Sequence, residues 1–163
     1  GATVFATAGS EDKRRYCEAL GATRAFNYKA QDFVAGVQEA TQGAGVDVIL
    51  DMIAGDYLNR NVEALATEGR LVMIATMGGA QAQLNALRVM TKRVSITGST
   101  LRGRSVEYKQ ALKAQLLRHV WPLFASGQLR ITIDRVFAFE QAPAAHAYME
   151  SSNHKGKILL RIS

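Results

Sequence analysis

The chain has 163 residues, is 48% hydrophobic and carries a formal charge of +6, enough apolar material for one ordinary domain with a sizeable core. No apolar run approaches the roughly 20 residues of a membrane-crossing helix, nothing at the N-terminus reads as a signal peptide, and the single cysteine, Cys17, rules out an internal disulfide framework and suits a reducing cytoplasm. The basic residues are scattered, with no zinc-finger spacing and no aromatic-plus-basic RNA signature. Small anionic ligands account for the charge as well as nucleic acid does, and nucleic acid is the lesser reading.

In chain order, "ATVFATA" is an apolar run of strand length, and "EDKRRYCEAL" has helical composition and is closed by Gly21. "RAFNY" reads as a short strand, and "QDFVAGVQEAT" as a helix ended by "QGAG". The run Val48, Ile49, Leu50 in "VDVILDM" predicts a strand with no polar face. "DYLNRNVEALA" is a helix with Leu58, Val62 and Leu65 on one side, followed by the strand "LVMIAT". The loop "MGGAQAQ" leads through a helical piece, Asn85 to Met90, to the strand "VSITGST". Apolar strands buried on both faces and spaced by amphipathic helices specify a doubly wound parallel α/β sheet.

The last third changes character. From Ser105 to Ser126 the spacing predicts one long helix with Leu112, Leu116, Val120 and Leu123 on a face. Pro122 should bend or loosen it, and Gly127 stops it. The strand "ITIDRVF", the helix "EQAPAAHAYMES" and the strand "KILLRI" follow, and they need not belong to the same sheet. The three histidines, His119, His146 and His154, are isolated, and no Cys/His cluster has zinc spacing.

Two features stand out at the first strand. Where dinucleotide-binding folds end their second strand they usually place an acid for the adenosine ribose. Here Ala8, Gly9 and Ser10 end the strand, and Lys13, Arg14 and Arg15 follow. The G-x-G-x-x-G turn that opens such folds is also missing ahead of this strand. The only double glycine, Gly78-Gly79, lies far downstream. The expectation is a Rossmann-like sheet lacking its first strand and glycine-rich turn.

Taken in order, "VFATAGSEDKRRYCEALGA", "FNYKAQDF", "GVDVILDMIAGDYL", "EGRLVMIATMGG", "VSITGSTLRGRS" and "HKGKILLRI" resemble the zeta-crystallin-like quinone oxidoreductases. These form part of the zinc-independent branch of the medium-chain dehydrogenase/reductase superfamily. The resemblance runs essentially from end to end. It implies an upstream catalytic domain and glycine turn, an NADP-binding region over residues 1–128, and a segment 129–163 that returns to the catalytic domain. It further implies NADPH-dependent reduction of quinones or related enones, with an enoyl-thioester reductase or a non-catalytic nucleotide-binding module as alternatives.

On this resemblance the end of the first strand faces the 2′-phosphate of NADPH. Gly9 gives room, Ser10 a hydroxyl and Lys13 an ammonium, and the tyrosine of "FNYK", Tyr28, is the next contact. Ser10 also suits an N-cap, and Glu11 or Asp12 would instead suit an unphosphorylated ribose. The other candidate contacts follow later strands at the ligand edge of the sheet. They are Asp51, Met52 and Gly55, then Ala75, Thr76 and Met77, then Ser99, Thr100 and Leu101. An acid such as Asp51 also caps turns, and Ala54 stands where the family often has a second glycine. No residue in the chain has to act as acid or base, no metal ligand is assigned, and a homodimer through the edge strand near residues 93–100 is expected.

Overall fold

The computed structural model describes residues 1–162 and divides into two compact units, Gly1–Gly103 and the segment from Arg104 onward. In the first, β1 (Phe5–Ala8), α1 (Glu11–Ala19), β2 (Arg24–Asn27), α2 (Phe33–Ala40) and β3 (Val46–Asp51) alternate. They are followed by α3 (Tyr57–Ala64), β4 (Leu65–Met73), α4 (Ala86–Lys92) and β5 (Ser95–Gly98). Three helices begin on polar caps: the side chains of Ser10, Asp32 and Asn85 accept from the backbone N–H of Lys13, Val34 and Arg88, satisfying donors the helix cannot. Gly21, at φ +106, turns the chain out of α1, a conformation glycine adopts without steric cost.

All pairings are parallel: β1 with β2, β3 with β4, and β4 with β5. The fold is α/β, as expected. β1 and β3 do not pair with each other.

Two apolar clusters hold this unit. Phe26, Phe33, Val37 and Ala64 form one, with Phe5, Val46 and Ile49 against it, so a single cluster ties the β1–β2 pair to the β3–β4–β5 sheet. Helix α2 reaches β2 because Gly36 has no Cβ; a Cβ there would collide with the Phe26 ring. Val62, Leu65, Leu71 and Val94 form the second, packed by Val46, Ile49, Val89 and Ile96. Ile49, Leu71 and Ile96 are register partners across three strands, one continuous apolar row under α3 and α4.

The row on the other face differs from expectation. Val48 is 49% and Leu50 62% exposed, although the unbroken apolar run predicts burial on both faces. The physical reason lies in the crossovers. Residues of α2, α3 and α4 join the clusters containing Ile49, which leaves the alternate row without a covering helix from this unit. Strands feel burial one face at a time, because side chains alternate.

The second unit also departs from the sequence at its helix. Instead of one bent helix there are two, α5 (Val106–His119) and α6 (Trp121–Ala125), divided at Val120. Pro122 sits in the first turn of α6, where its missing N–H costs nothing, so the chain restarts a helix rather than bending one. Gly127, at φ +72, ends α6. Then β6 (Ile133–Ala138), a short 3₁₀ turn (Phe139–Gln141), α7 (Ala142–Glu150) and β7 (Lys157–Arg161) follow. The strands β6 and β7 pair parallel with each other and with no other described strand. Asp134 closes this unit: its carboxylate accepts from the backbone N–H of Lys155 at 2.8 Å and from the Tyr148 hydroxyl at 2.8 Å. These bonds hold its pKa below the ordinary aspartate value. No helix among the described residues is long and apolar enough to cross a membrane.

One polar contact pins the first unit's helices together. The Lys92 ammonium at the end of α4 donates to the carbonyls of Val62 (3.1 Å), Glu63 (2.7 Å) and Leu65 (2.7 Å), capping the C-terminus of α3 where carbonyls lack intrahelical partners. Burial lowers its pKa from the usual lysine value. Lys92→Met keeps the apolar stem and removes the cap; it should destabilise the chain by about 1–2 kcal/mol, read as a lower midpoint in urea unfolding.

Candidate functional site

The C-terminal ends of the parallel strands lie on one side of the first unit. Tyr28, just past β2, meets Tyr57, just past the turn after β3, with ring centroids 6.2 Å apart and edge to face. The strand-end candidates fall into two groups, and this contact joins them.

The first group surrounds the end of β1. Ser10 caps α1, its Oγ accepting from Lys13 N–H at 3.2 Å. Tyr28 is held by its own N–H, which donates to the Ala8 carbonyl at 3.1 Å. Its ring passes so close to Gly9 that a Cβ there would stand 2.7 Å from the phenol oxygen. Gly9 is therefore the residue that admits Tyr28. Ser10 and Tyr28 thus bring two hydroxyl-bearing side chains to the end of β1, with Lys13 one helical turn into α1.

The second group is the turn after β3 and the loop after β4. Asp51 is 4% exposed, and its carboxylate accepts from Ile53 N–H at 2.7 Å, Ala54 N–H at 3.1 Å and Asn61 Nδ2 at 3.0 Å. The side chain shapes the turn, and Asn61, one helix downstream, completes it. The two loops then zip together: Met77 N–H donates to the Met52 carbonyl at 3.1 Å and Gly78 N–H to the Ile53 carbonyl at 2.7 Å. Gly55, buried and at φ +52, lies against Gly78, and a Cβ on Gly55 would collide with the Gly78 carbonyl oxygen.

A concavity of about 380 Å³ opens beside this zipper, lined among others by Gly55, Leu58, Met73, Ala75 and Thr76. Ser99 joins the same edge, its N–H donating to the Met73 carbonyl at 2.9 Å. Thr100 and Leu101 are exposed beyond it. Met52 and Met77 are also exposed.

Three contributors lay outside the sequence-derived candidates. Gly78 was legible only as half of a double glycine. Asn61 reads as an ordinary polar helix residue until the fold brings it to Asp51. Tyr57 stacks on Phe33 with centroids 5.7 Å apart, and the Arg60 guanidinium lies 4.3 Å over the Phe33 ring. That stack needs the packing of α2 against α3 to exist.

Ala54 precedes Gly55 at φ +56, in the left-handed region that costs a residue with a Cβ roughly 1–2 kcal/mol. Gly55 alone therefore serves the close approach, while Ala54 is strained. Ala54→Gly should stabilise the chain by about 0.5–1 kcal/mol, visible as a raised melting temperature.

With this geometry in view, the comparisons with known proteins are consistent. Curated relatives include a phenolphthiocerol/phthiocerol polyketide synthase of Mycobacterium tuberculosis, 31% identical over 99% of this chain and 7% of its own length. The 2-haloacrylate reductase of a Burkholderia species is 31% identical over 98% of this chain and 48% of its own. Quinone oxidoreductase-like protein 2 of Bos taurus is 29% identical over 99% and 46%. The chain thus spans about half the length of its shorter relatives. Among solved structures, an NAD-dependent alcohol dehydrogenase superposes with a TM-score of 0.85 at 31% identity, covering 100% of this chain and 45% of that one. The CurK enoyl reductase gives 0.77 at 30% identity, covering 99% and 48%.

The described residues contain no group of three His, Cys, Asp or Glu able to hold a metal ion. The zinc-binding dehydrogenase family model matches residues 20–160, from the end of α1 through β7, and the chain belongs to the zinc-binding dehydrogenase family, oxidoreductases built on a Rossmann-like cofactor-binding domain.

Proposed function

We propose that the strand-end edge of the first unit binds NADPH, and that the polypeptide carrying this chain is a zeta-crystallin-like reductase of quinones or related enones. The observation that carries the cofactor reading is the donor set at the end of β1. Ser10 follows this strand end, where an NAD-type fold places an acid. Tyr28 packs over Gly9 beside it, and Lys13 stands in the first turn of the helix that Ser10 caps. The relatives named as a 2-haloacrylate reductase and a quinone oxidoreductase-like protein support an electron-poor, conjugated acceptor.

Bound along this edge, the reduced nicotinamide supplies the hydride, so the protein's task is orientation and electrostatics. Ser10, Lys13 and Tyr28 hold the adenosine 2′-phosphate. The Gly55–Gly78 contact holds two loops together, and Met52, Ala75, Thr76 and Met77, with Ser99, Thr100 and Leu101, line the path toward the nicotinamide. Asp51 acts by fixing the turn. No side chain of this chain is assigned a proton-transfer role. A second reading, an enoyl-thioester reductase, is favoured by the likeness to the CurK enoyl reductase.

The test follows cofactor consumption by the longest natural polypeptide that carries this chain, with a simple 1,4-quinone as acceptor. Turnover with NADPH and little with NADH is expected. Turnover with NADH alone overturns the phosphate role of Ser10, Lys13 and Tyr28 while keeping the enzyme class. No turnover with the quinone but turnover of an enoyl thioester selects the second reading.

The same polypeptide is proposed to form a homodimer through β5. This strand pairs with β4 along one edge, and its other edge, in the region of residues 93–100, would pair with a second copy and so cease to be an association hazard. Sedimentation should give a dimer; a monomer at micromolar concentration overturns the interface.

A further inference from the structure

The three consecutive cations after β1 do not play the same part. We propose that Arg14 sets the preference for a 2′-phosphorylated adenosine without touching it, by neutralising Glu11, the first residue of α1. This rests on the cofactor reading above and adds a specificity-determining residue to it.

Glu11 follows Ser10 directly, at the strand end where an acid would accept hydrogen bonds from an unphosphorylated ribose and repel a phosphate dianion. The structure engages that acid. Arg14 Nε donates to Glu11 Oε1 at 2.7 Å, and Nη2 lies 2.7 Å from the same oxygen. The pairing holds the Glu11 carboxyl below its ordinary pKa, as expected of a carboxylate fed by a guanidinium.

Arg14 is in turn prevented from swinging toward a ligand. Its Nη1 donates to Glu18 Oε1 at 2.6 Å, and that oxygen also accepts the backbone N–H of Ala25 in β2 at 3.0 Å. Glu11, Arg14 and Glu18 stand at helical spacings of three and four, one stripe of α1, anchored at its far end to the sheet. Three guanidinium N–H groups point at carboxylates, and the Arg14 side chain is only 21% exposed. Lys13 is half-buried, and its backbone N–H donates to Ser10 Oγ. Asp12 and Arg15 are the remaining charges of this turn, and they are of opposite sign. Arg14 shares its charge between Glu11 and Glu18; with Glu11 so engaged, the acid next to the strand end opposes a phosphate less, and the N-terminus of α1 favours one.

The test compares adenosine 2′,5′-bisphosphate with 5′-AMP, ligands that differ only in the 2′-phosphate, by calorimetric titration of the same natural polypeptide. Wild type should prefer the bisphosphate. In Arg14→Met the ratio of the two affinities should fall about three- to tenfold at low salt, as expected for one unscreened charge near a ligand, and the fall should shrink with added salt. Adding Glu11→Gln to Arg14→Met should restore the ratio, which a purely structural lesion would not allow. An unchanged ratio in Arg14→Met, or a fall that Glu11→Gln does not repair, overturns the proposal. A wild type that ignores the 2′-phosphate overturns the underlying cofactor reading with it, and is told apart because the preference is then absent before any substitution.

Discussion

The carboxylate of Asp51 is the constraint on which the ligand edge depends. A buried acid with unmet acceptors would be costly, and this one is satisfied by two backbone amides of its own turn and by Asn61 of the helix that the turn launches. The same bonds that make the acid tolerable bend the chain from β3 into α3. They bring Gly55 against the loop after β4 and set Tyr57 beside Tyr28. One side chain, by being buried and answered, thus joins the two groups of the site.

Packing in the first unit is one-sided, and that arrangement gives the edge its rigidity. Val46 and Ile49 of β3 contact both apolar clusters, so the two sheets share a foundation although they share no hydrogen bond. Lys92 then fastens α4 to the exposed carbonyls of α3, a polar clamp at the opposite end of α3 from the turn. The strand ends are held from below by apolar contacts and from behind by a helix whose C-terminal carbonyls are capped.

Much of this was legible in the sequence because it is local. Apolar runs and glycine punctuation located every strand, and Ser10 sits where a cap belongs. Strand β4, however, begins at Leu65, which the helical spacing places on the face of α3: the chain leaves the helix at Ala64, and Leu65 pairs with Val46 of β3. Gly9 and Tyr28 were candidates on separate grounds, and the fold makes them a contact pair. What was not legible depends on tertiary placement. The run Val48-Ile49-Leu50 has no polar member, so the sequence cannot say that only Ile49 finds a covering helix. Pro122 announces a disturbance, but a bend and a restart differ only in how Val120 turns. Arg14 looks like one of three equivalent cations until Glu11 and Glu18 are seen to hold it. Asn61 carries no pattern at all; only the approach of α3 to the end of β3 gives it a partner.

The contact between Gly55 and Gly78 constrains how this chain can change over evolutionary time, and it does so unequally. A side chain at position 78 would press on a side-chain carbon of Ile53 at 2.8 Å, an obstruction that a different residue at 53 can relieve. It would also stand 3.1 Å from the Ile53 carbonyl oxygen, an approach that a main-chain shift of a few tenths of an ångström has to accommodate. A side chain at 55 would strike main chain, which every amino acid possesses. Position 78 therefore has a compensating partner and a route through sequence space, whereas no substitution elsewhere opens room at position 55. Drift along this edge can proceed through pairs at 53 and 78, but position 55 is closed to it.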